Sequence, residues 1–158
     1  MYIFTLWSQN PITEKYQACI NAMIEKYPEL VIERIEILDG VDYRYFSDVA
    51  RFRRLAGIEG PALYLDADCL PGPEKYIGGD KVAFARGRSA NIDIHFIYKP
   101  AGAENEIKDI LTKWENSKLW FQEIIQSQYE KYDYINGYSD YKYFKHCNYG
   151  GSMKKRKL

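Results

Sequence analysis

The stretch Ala62-Leu63-Tyr64-Leu65-Asp66-Ala67-Asp68 decides the fold, because it joins a short apolar run to a pair of acids. The apolar residues predict a strand. Side chains two positions apart in an extended chain point the same way, so we expect Asp66 and Asp68 to present two carboxylates to one point at the strand's C-terminal end. Such a point suits Mg²⁺ or Mn²⁺, which carboxylates and phosphate oxygens commonly hold. The pair therefore indicates a metal site for a nucleotide diphosphate.

Helical and extended patterns alternate before this stretch. Tyr2–Trp7 is a short apolar run. Thr13 then precedes a helix in which apolar residues recur every three or four positions until Pro28. A second strand is predicted over residues 30–38, where an Asp-Gly pair ends it.

A second helix follows this strand. Ser47 or Asp48 can cap its N-terminus, and Arg51 falls on the same face as Asp48 because residues three apart are neighbours on a helix. A glycine turn then leads into the acidic strand. The order strand, helix, strand, helix, strand predicts an α/β fold with a mainly parallel sheet flanked by helices. Ligands of such sheets collect at the carboxyl edge, where Asp66 and Asp68 lie.

The second half of the chain is less regular. Strands are predicted over residues 82–85 and 92–98, followed by a helix through Trp114 and another before Tyr129. The remaining residues predict loops with one short strand near residues 134–135. Within the strand over 92–98, an acid and a histidine alternate on one face, and we interpret this pair, Asp93 and His95, as structural.

Length and composition are those of an ordinary globular domain of 158 residues. We expect one domain over residues 1–150 and a basic tail over residues 151–158. No apolar run is long enough to cross a membrane, and the N-terminus lacks a secretion signal, so a cytoplasmic location is expected. The three cysteines lack zinc or redox spacing, which favours reduced thiols.

The charges are balanced, with 22 basic and 22 acidic residues. This balance argues against a general nucleic-acid surface. Four consecutive basic residues over 154–157 form a local exception that could make peripheral contact with anionic lipid. A disordered solubilising end is the plainer interpretation of the same residues.

Two linked motifs resemble a known family. Ser47-Asp48-Val49-Ala50-Arg51, followed by a glycine turn and Tyr64-Leu65-Asp66-Ala67-Asp68, is similar to the Ser-Asp-x-x-Arg and Gly-Gly-x-Tyr-x-Asp-x-Asp signature of the retaining glycosyltransferases with a DXD sugar-binding region. That family includes capsular polysaccharide synthesis enzymes, initiating α-mannosyltransferases and, more distantly, glucosylating toxin domains. The resemblance implies a GT-A-type fold and metal-dependent transfer of a sugar, with retention, from a UDP- or GDP-sugar to a hydroxyl acceptor.

The resemblance extends over most of the chain. The opening run that ends at Trp7 is similar to the family's first strand, and Asn91 before an apolar strand is similar to a later segment. His146-Cys147-Asn148-Tyr149-Gly150-Gly151-Ser152 resembles the family's C-terminal His and Gly-Ser-Trp element. Met153 stands where that element has tryptophan.

For the metal, the resemblance implies three ligands. Asp68 would bind Mn²⁺ or Mg²⁺ directly, and Asp66 would reach the ribose or a metal-bound water. His146 would be the third protein ligand, since a neutral imidazole can join carboxylates around Mn²⁺.

For the donor, the resemblance implies five further contacts. Asp48 and Arg51 would grip hydroxyls of the sugar, with Arg51 also stabilising charge where the glycosyl and phosphate groups separate. Trp7 would offer a flat face to the base, and Asn91 would contact the donor. Ser152 would donate a hydrogen bond to the diphosphate.

Plainer interpretations of these residues stay open at this point. Asp48 can simply cap its helix, Arg51 can be solvated, and Trp7 can belong to the core. His146 can be a surface histidine, and Asn91 can turn the chain. The alternative functions are a non-catalytic nucleotide-sugar-binding module or inactive transferase, a nucleotidyltransferase, and nucleic-acid binding through the basic tail. A nucleotidyltransferase normally needs a third acidic ligand and an upstream phosphate-binding turn, which the sequence does not display.

Overall fold

Strand β1, Tyr2–Trp7, lies in the sheet between the next two strands along the chain, both of which the sequence predicts. The computed structural model describes residues 1–8, 11–36, 43–87, 91–138 and 140–149, and the side chains of residues 43–45 are not among the parts described. The helices and strands are β1 (Tyr2–Trp7), α1 (Glu14–Lys26), β2 (Val31–Arg34), α2 (Tyr43–Gly57), β3 (Ala62–Leu65), β4 (Cys69–Pro71), β5 (Ala83–Arg86), β6 (Ile92–Lys99), α3 (Glu104–Ser117), α4 (Phe121–Ser127), β7 (Asp133–Asn136) and β8 (Phe144–His146).

Six of the strands form one central sheet in the order β2-β1-β3-β6-β5-β7. Strand β6 runs antiparallel to both of its neighbours, and the other pairs are parallel. The mainly parallel sheet expected from the sequence is therefore confirmed, with one reversed strand. The C-terminal end of β3 consequently lies beside the first half of β6, and β4 pairs with β8 in a separate antiparallel ribbon.

Alternation along the strands divides the core into two layers. Phe4 and Leu6 of β1 belong to a hydrophobic cluster with residues of α2, α3 and α4. Ile3, on the opposite face of the same strand, belongs to a second cluster with residues of α1 and of the β4-β8 ribbon. Helices thus cover one face of the sheet, and α1 with the ribbon covers the other.

Helix α2 corrects the predicted N-cap. The helix begins at Tyr43, so neither Ser47 nor Asp48 caps it. Both side chains are turned to Arg51 instead: Ser47 Oγ accepts a hydrogen bond from Nη2 at 3.1 Å, and Asp48 Oδ1 lies 3.3 Å from the same nitrogen. A guanidinium one turn away therefore competes with the backbone for these oxygens. The expected placement of Arg51 on the Asp48 side is confirmed.

The remaining elements follow the predictions with shifted ends. Strand β2 covers only Val31–Arg34 of the strand predicted over residues 30–38, although the Ile35 N–H still donates to the Trp7 carbonyl. Strand β7 confirms the short strand expected near residues 134–135. The three cysteines are free. Residues 150–158, which include the basic tail, lie outside the described residues, so the domain boundary at 150 stays a prediction.

No helix within the described residues has both the length and the apolar character that a membrane crossing requires.

A buried lysine fastens the turn that leads into β3. Lys99, at the end of β6, is fully buried. Its ammonium group donates to the carbonyls of Ile58 at 2.8 Å and Gly60 at 2.6 Å, and it pairs with Glu104 at 2.9 Å. This contact holds the entry of β3 to its neighbour and so supports the register of the strand.

We expect Lys99→Met to lower the free energy of unfolding by about 3 kcal/mol, because buried carbonyls and one carboxylate lose their partner. Urea denaturation followed by circular dichroism measures this loss. Glu104→Gln, which keeps the two carbonyl hydrogen bonds, serves as the control and should cost much less. A loss under about 1 kcal/mol for Lys99→Met would contradict the anchoring role.

Candidate functional site

The two acids of the opening stretch lie in a turn, which corrects the reason for which we expected them to converge. Strand β3 ends at Leu65, and the Cys69 N–H donates to the Asp66 carbonyl at 3.1 Å, closing a tight turn. We call residues 66–69 the acidic turn. Asp66 and Asp68 still face one point, because His146 Nε2 lies 3.5 Å from Asp66 Oδ2 and 3.1 Å from Asp68 Oδ1.

The β4-β8 ribbon brings His146 to the acidic turn. Strand β8 places His146 opposite Cys69, and the next residue, Cys147, donates its N–H to the Asp68 carbonyl at 3.0 Å. His146 also donates its own N–H to the Gly137 carbonyl at 2.8 Å. Backbone pairing therefore fixes a residue that is nearly eighty positions from the acids in sequence.

These three residues form a group that could hold a metal ion. One ligand atom from each of Asp66, Asp68 and His146 lies within 4.8 Å of the others. Two carboxylates and one imidazole suit Mn²⁺, and Mg²⁺ accepts the carboxylates with waters and phosphate oxygens. The Asp66 side chain is 22% exposed, whereas those of Asp68 and His146 are 7% and 10% exposed. The group therefore opens to solvent mainly on the Asp66 side.

The electrostatics of the group are strongly coupled. Burial works to lower the pKa of His146, but hydrogen bonds to Asp68 and Asp93 and the charge of Asp66 outweigh it and raise that pKa to about 10. Burial works to raise the pKa of Asp68, but its hydrogen bond with His146 holds the pKa of this carboxyl below its usual value. Without a cation, His146 is thus protonated near neutral pH, and its positive charge offsets the charges of the neighbouring carboxylates.

Arg51 links α2 to the acidic turn. Its guanidinium is almost wholly enclosed, with Nη1 3.0 Å from Asp66 Oδ1 and donating to the Ile94 carbonyl at 2.9 Å. Its carbon lies 4.7 Å from the centre of the Tyr64 ring, within range of a cation–π contact. Burial works to lower the pKa of Arg51, but Asp66, Tyr64 and Asp48 raise it above its ordinary value, so the charge is permanent.

The two oxygens of Asp66 have different surroundings. Oδ1 accepts a hydrogen bond from the Tyr64 hydroxyl and pairs with Arg51, whereas Oδ2 faces His146 Nε2. Asp48 stands on the other side of Arg51, and its side chain is 20% exposed. Oδ2 is thus the Asp66 oxygen that faces the possible metal-binding group, and the partly exposed Asp48 carboxylate lies beside Arg51 on α2.

Asp93 and His95 both contact His146, a role that the sequence did not reveal. Asp93 Oδ2 lies 3.2 Å from His146 Nδ1, and the rings of His95 and His146 stack with centroids 4.4 Å apart. Burial works to raise the pKa of Asp93, but its contacts with His146 and His95 hold it well below its usual range. The alternation of an acid and a histidine in β6 is the sequence pattern that could have indicated this contact. It does so only if β6 runs antiparallel to β3, because that orientation places the start of β6 at the acidic turn.

The other predicted residues lie around this edge of the sheet or outside the described residues. Trp7 ends β1 and is 6% exposed, with its ring 4.9 Å from that of Tyr16. Tyr16 in turn lies 5.8 Å from Tyr149, whose N–H donates to Asp68 Oδ2 at 2.9 Å. Asn91 is exposed immediately before β6. Ser152 lies outside the described residues.

The sheet order, with one reversed strand and an acidic turn after β3, defines a small α/β fold of the GT-A type. Two of the solved structures that share it are glycosyltransferases. One is a glycosyltransferase involved in the glycosylation of the major capsid of PBCV-1, with a TM-score of 0.60, 14% identity and 98% of each chain covered. The other is the apo form of the glycosyltransferase GlyE of Streptococcus pneumoniae TIGR4, with a TM-score of 0.55 and 12% identity.

The match to GlyE covers 85% of this chain and 44% of the GlyE chain. The TM-scores show a common fold, and at identities this low they show the fold alone. No protein-family model matches the sequence, and no curated protein matches it.

We expect Mn²⁺ binding near pH 7 to release about one proton, because a cation requires the neutral imidazole of His146, whose pKa is raised to about 10. Below that pKa the proton competes with the cation, so apparent affinity should strengthen as pH rises, by up to about tenfold per unit. Calorimetric titration in buffers of different ionisation enthalpy measures the released proton. His146→Gln is the control and should release none. Binding by the wild type without proton release would contradict the proposed role of His146.

Proposed function

We propose that this chain transfers a sugar from a UDP- or GDP-sugar to a hydroxyl acceptor, with retention of configuration, using Mn²⁺ or Mg²⁺. One observation carries the proposal. In a fold shared with glycosyltransferases, Asp66, Asp68 and His146 converge at the edge where α/β sheets bind ligands, beside the helix that bears Arg51. The acceptor belongs to a glycan, a lipid-linked carrier or a protein, and the reaction takes place in the cytoplasm, where the basic tail over residues 151–158 would contact the membrane surface.

The metal ligands would be Asp66 Oδ2, Asp68 Oδ1 and His146 Nε2, the atoms that face one another. A bound divalent cation would offset the charge that develops on the leaving diphosphate. Hydrogen bonds hold the backbone at Asp68 and His146, and the Tyr149 N–H holds the Asp68 carboxylate, so the site would need little reorganisation when the donor arrives.

Asp48 and Arg51 would act on the donor from the α2 side. The Asp48 carboxylate is partly exposed and can accept hydrogen bonds from sugar hydroxyls. The enclosed guanidinium of Arg51 would orient Asp48 and Asp66 and add positive charge next to the diphosphate. This assignment refines the role that the sequence suggested, in which Arg51 itself grips the sugar.

Retention requires no covalent enzyme intermediate in this proposal. The bond between the anomeric carbon and the diphosphate breaks, and the acceptor oxygen forms its bond on the same face. The acceptor proton passes to an oxygen of the leaving diphosphate. The protein's part is to hold the acceptor oxygen on the face of the sugar that the diphosphate leaves and to stabilise the separating charges.

Trp7, Asn91 and Ser152 complete the proposed donor site. Trp7 and its neighbour Tyr16 would border the base, and the aromatic contact from Tyr16 to Tyr149 would connect that part of the site to the acidic turn. Asn91 would contact the donor from the start of β6. Ser152 would donate to the diphosphate.

The direct test is a screen of UDP- and GDP-sugars with and without Mn²⁺, read as release of nucleoside diphosphate. We expect Asp68→Asn to lower metal-dependent release at least about 100-fold, because the amide removes a charged ligand while keeping the side-chain volume. Asp109→Asn is a matched control on the exposed surface of α3, where Asp109 pairs with Lys113, and should leave release unchanged.

Full metal-dependent release by Asp68→Asn would overturn the assignment of Asp68. Donor binding without any release by the wild type would instead indicate a nucleotide-sugar-binding module.

We expect Arg51→Lys to lower kcat about tenfold or more while changing the Kd for the nucleoside diphosphate by less than about threefold. Lysine keeps the charge but cannot pair with Asp48 and Asp66 at once, since it lacks the planar fork of arginine. Steady-state kinetics and calorimetric binding measure the two effects. Arg53→Lys, an exposed position on the same helix, is the control. Equal losses in kcat and in affinity would point to a purely structural role for Arg51.

A further inference from the structure

The two ring nitrogens of His146 face opposite sets of acids. Nε2 points to Asp66 and Asp68, the proposed metal ligands. Nδ1 lies 3.2 Å from Asp93 Oδ2 and 3.1 Å from the Tyr138 hydroxyl, whose own proton is donated to that same Asp93 oxygen. A histidine can give a lone pair to a metal from one nitrogen only if the proton is held on the other. The contact with Asp93 is placed to hold it on Nδ1.

Asp93 is itself held in place. Its Oδ1 accepts the backbone N–H of His95 at 2.9 Å, and its Oδ2 accepts the Tyr138 hydroxyl at 2.8 Å. These hydrogen bonds come from two different parts of the chain, β6 and the segment after β7. The carboxylate therefore cannot swing away from His146 without losing both partners.

The plane of the His146 ring is fixed as well. The ring of His95 stacks on it at an interplanar angle of 18°, and His95 is fully buried. A Cβ at Gly137 would collide with the His95 ring, so glycine is what allows the segment after β7 to pass this close. Stacking on one face and Asp93 at Nδ1 leave Nε2 as the ring nitrogen available to a ligand.

We propose that Asp93 is a positioning residue that holds the proton on His146 Nδ1 and thereby aims the lone pair of Nε2 at the cation bound by Asp66 and Asp68. The inference rests on the proposed function, because it assigns a role toward that same metal site. Carboxylates that orient a metal-binding histidine in this way typically change metal affinity by 10- to 100-fold.

Asp93, His95 and His146 also form a second group whose ligand atoms lie within 4.8 Å of one another. A cation there would use Nδ1 of His146 and would compete with the proton that the proposal places on it. Both Asp93 oxygens already accept hydrogen bonds, and His95 is fully buried. These contacts favour the positioning role over a second cation.

A double-mutant cycle tests the proposal through Mn²⁺ affinity, measured by electron paramagnetic resonance of free Mn²⁺. We expect Asp93→Leu to weaken binding about 10- to 100-fold in the wild-type background and less than about twofold in the His146→Gln background, because Asp93 acts through His146. Asp93→Asn keeps the volume and one acceptor oxygen, so it should show a smaller loss with the same dependence on His146. It also provides the test if Asp93→Leu does not fold.

Three results would overturn the proposal. Equal weakening in both backgrounds would mean that Asp93 attracts the cation only by its charge. Binding of two Mn²⁺ ions per chain would mean that Nδ1 is a metal ligand. Failure of the wild type to bind Mn²⁺ would overturn the metal site itself and the proposed function with it. This result can be told apart from a failure of the Asp93 proposal alone, because it is seen in the wild type without any variant.

Discussion

An excess of negative charge at one edge of the sheet is the constraint on which the rest of the structure depends. Four carboxylates meet two cationic side chains there: the acids are Asp48, Asp66, Asp68 and Asp93, and the cations are Arg51 and His146. With His146 protonated, the net charge of these six groups is two negative charges. Partly buried carboxylates are costly unless they are paired or bind a metal. A divalent cation would supply the charge that the protein lacks.

The fold builds this edge from segments that are distant in sequence. Strand β3 delivers the acidic turn, α2 delivers Arg51, and the β4-β8 ribbon returns His146 to the same point. The reversed strand β6 adds Asp93 because its beginning lies where its neighbours end. Each group is attached to regular backbone pairing or to a packed helix, so the charges are held together by the core rather than by their own attraction. Such preorganisation is what electrostatic catalysis requires.

The sequence predicted the parts of this site that depend on local patterns. The apolar run before Asp66 predicted β3, and the alternation of strands and helices predicted the parallel half of the sheet. The motif resemblance grouped Asp66 and Asp68 with His146, and the structure places their ligand atoms together. The extended-strand argument for this convergence was wrong, since the acids lie in a turn whose hydrogen bond could not be inferred from alternation.

What the sequence could not provide were interactions that arise only after the chain has folded. Ser47 and Asp48 are residue types that commonly cap helices, but the helix begins before them, at Tyr43, and their side-chain oxygens contact Arg51. Asp93 and His95 have the pattern of an ordinary strand, and their contact with His146 depends on strand direction and on the ribbon. Propensity and periodicity describe neighbours along the chain, whereas these contacts are set by tertiary pairing.

The most direct measurement is a crystal structure of the protein with Mn²⁺ and a nucleoside diphosphate, in which anomalous scattering locates the manganese. We expect one manganese ion within about 2 Å of Asp68 and His146, bridged to the diphosphate. Manganese bound elsewhere, or a diphosphate held away from the acidic turn, would contradict the proposed metal site.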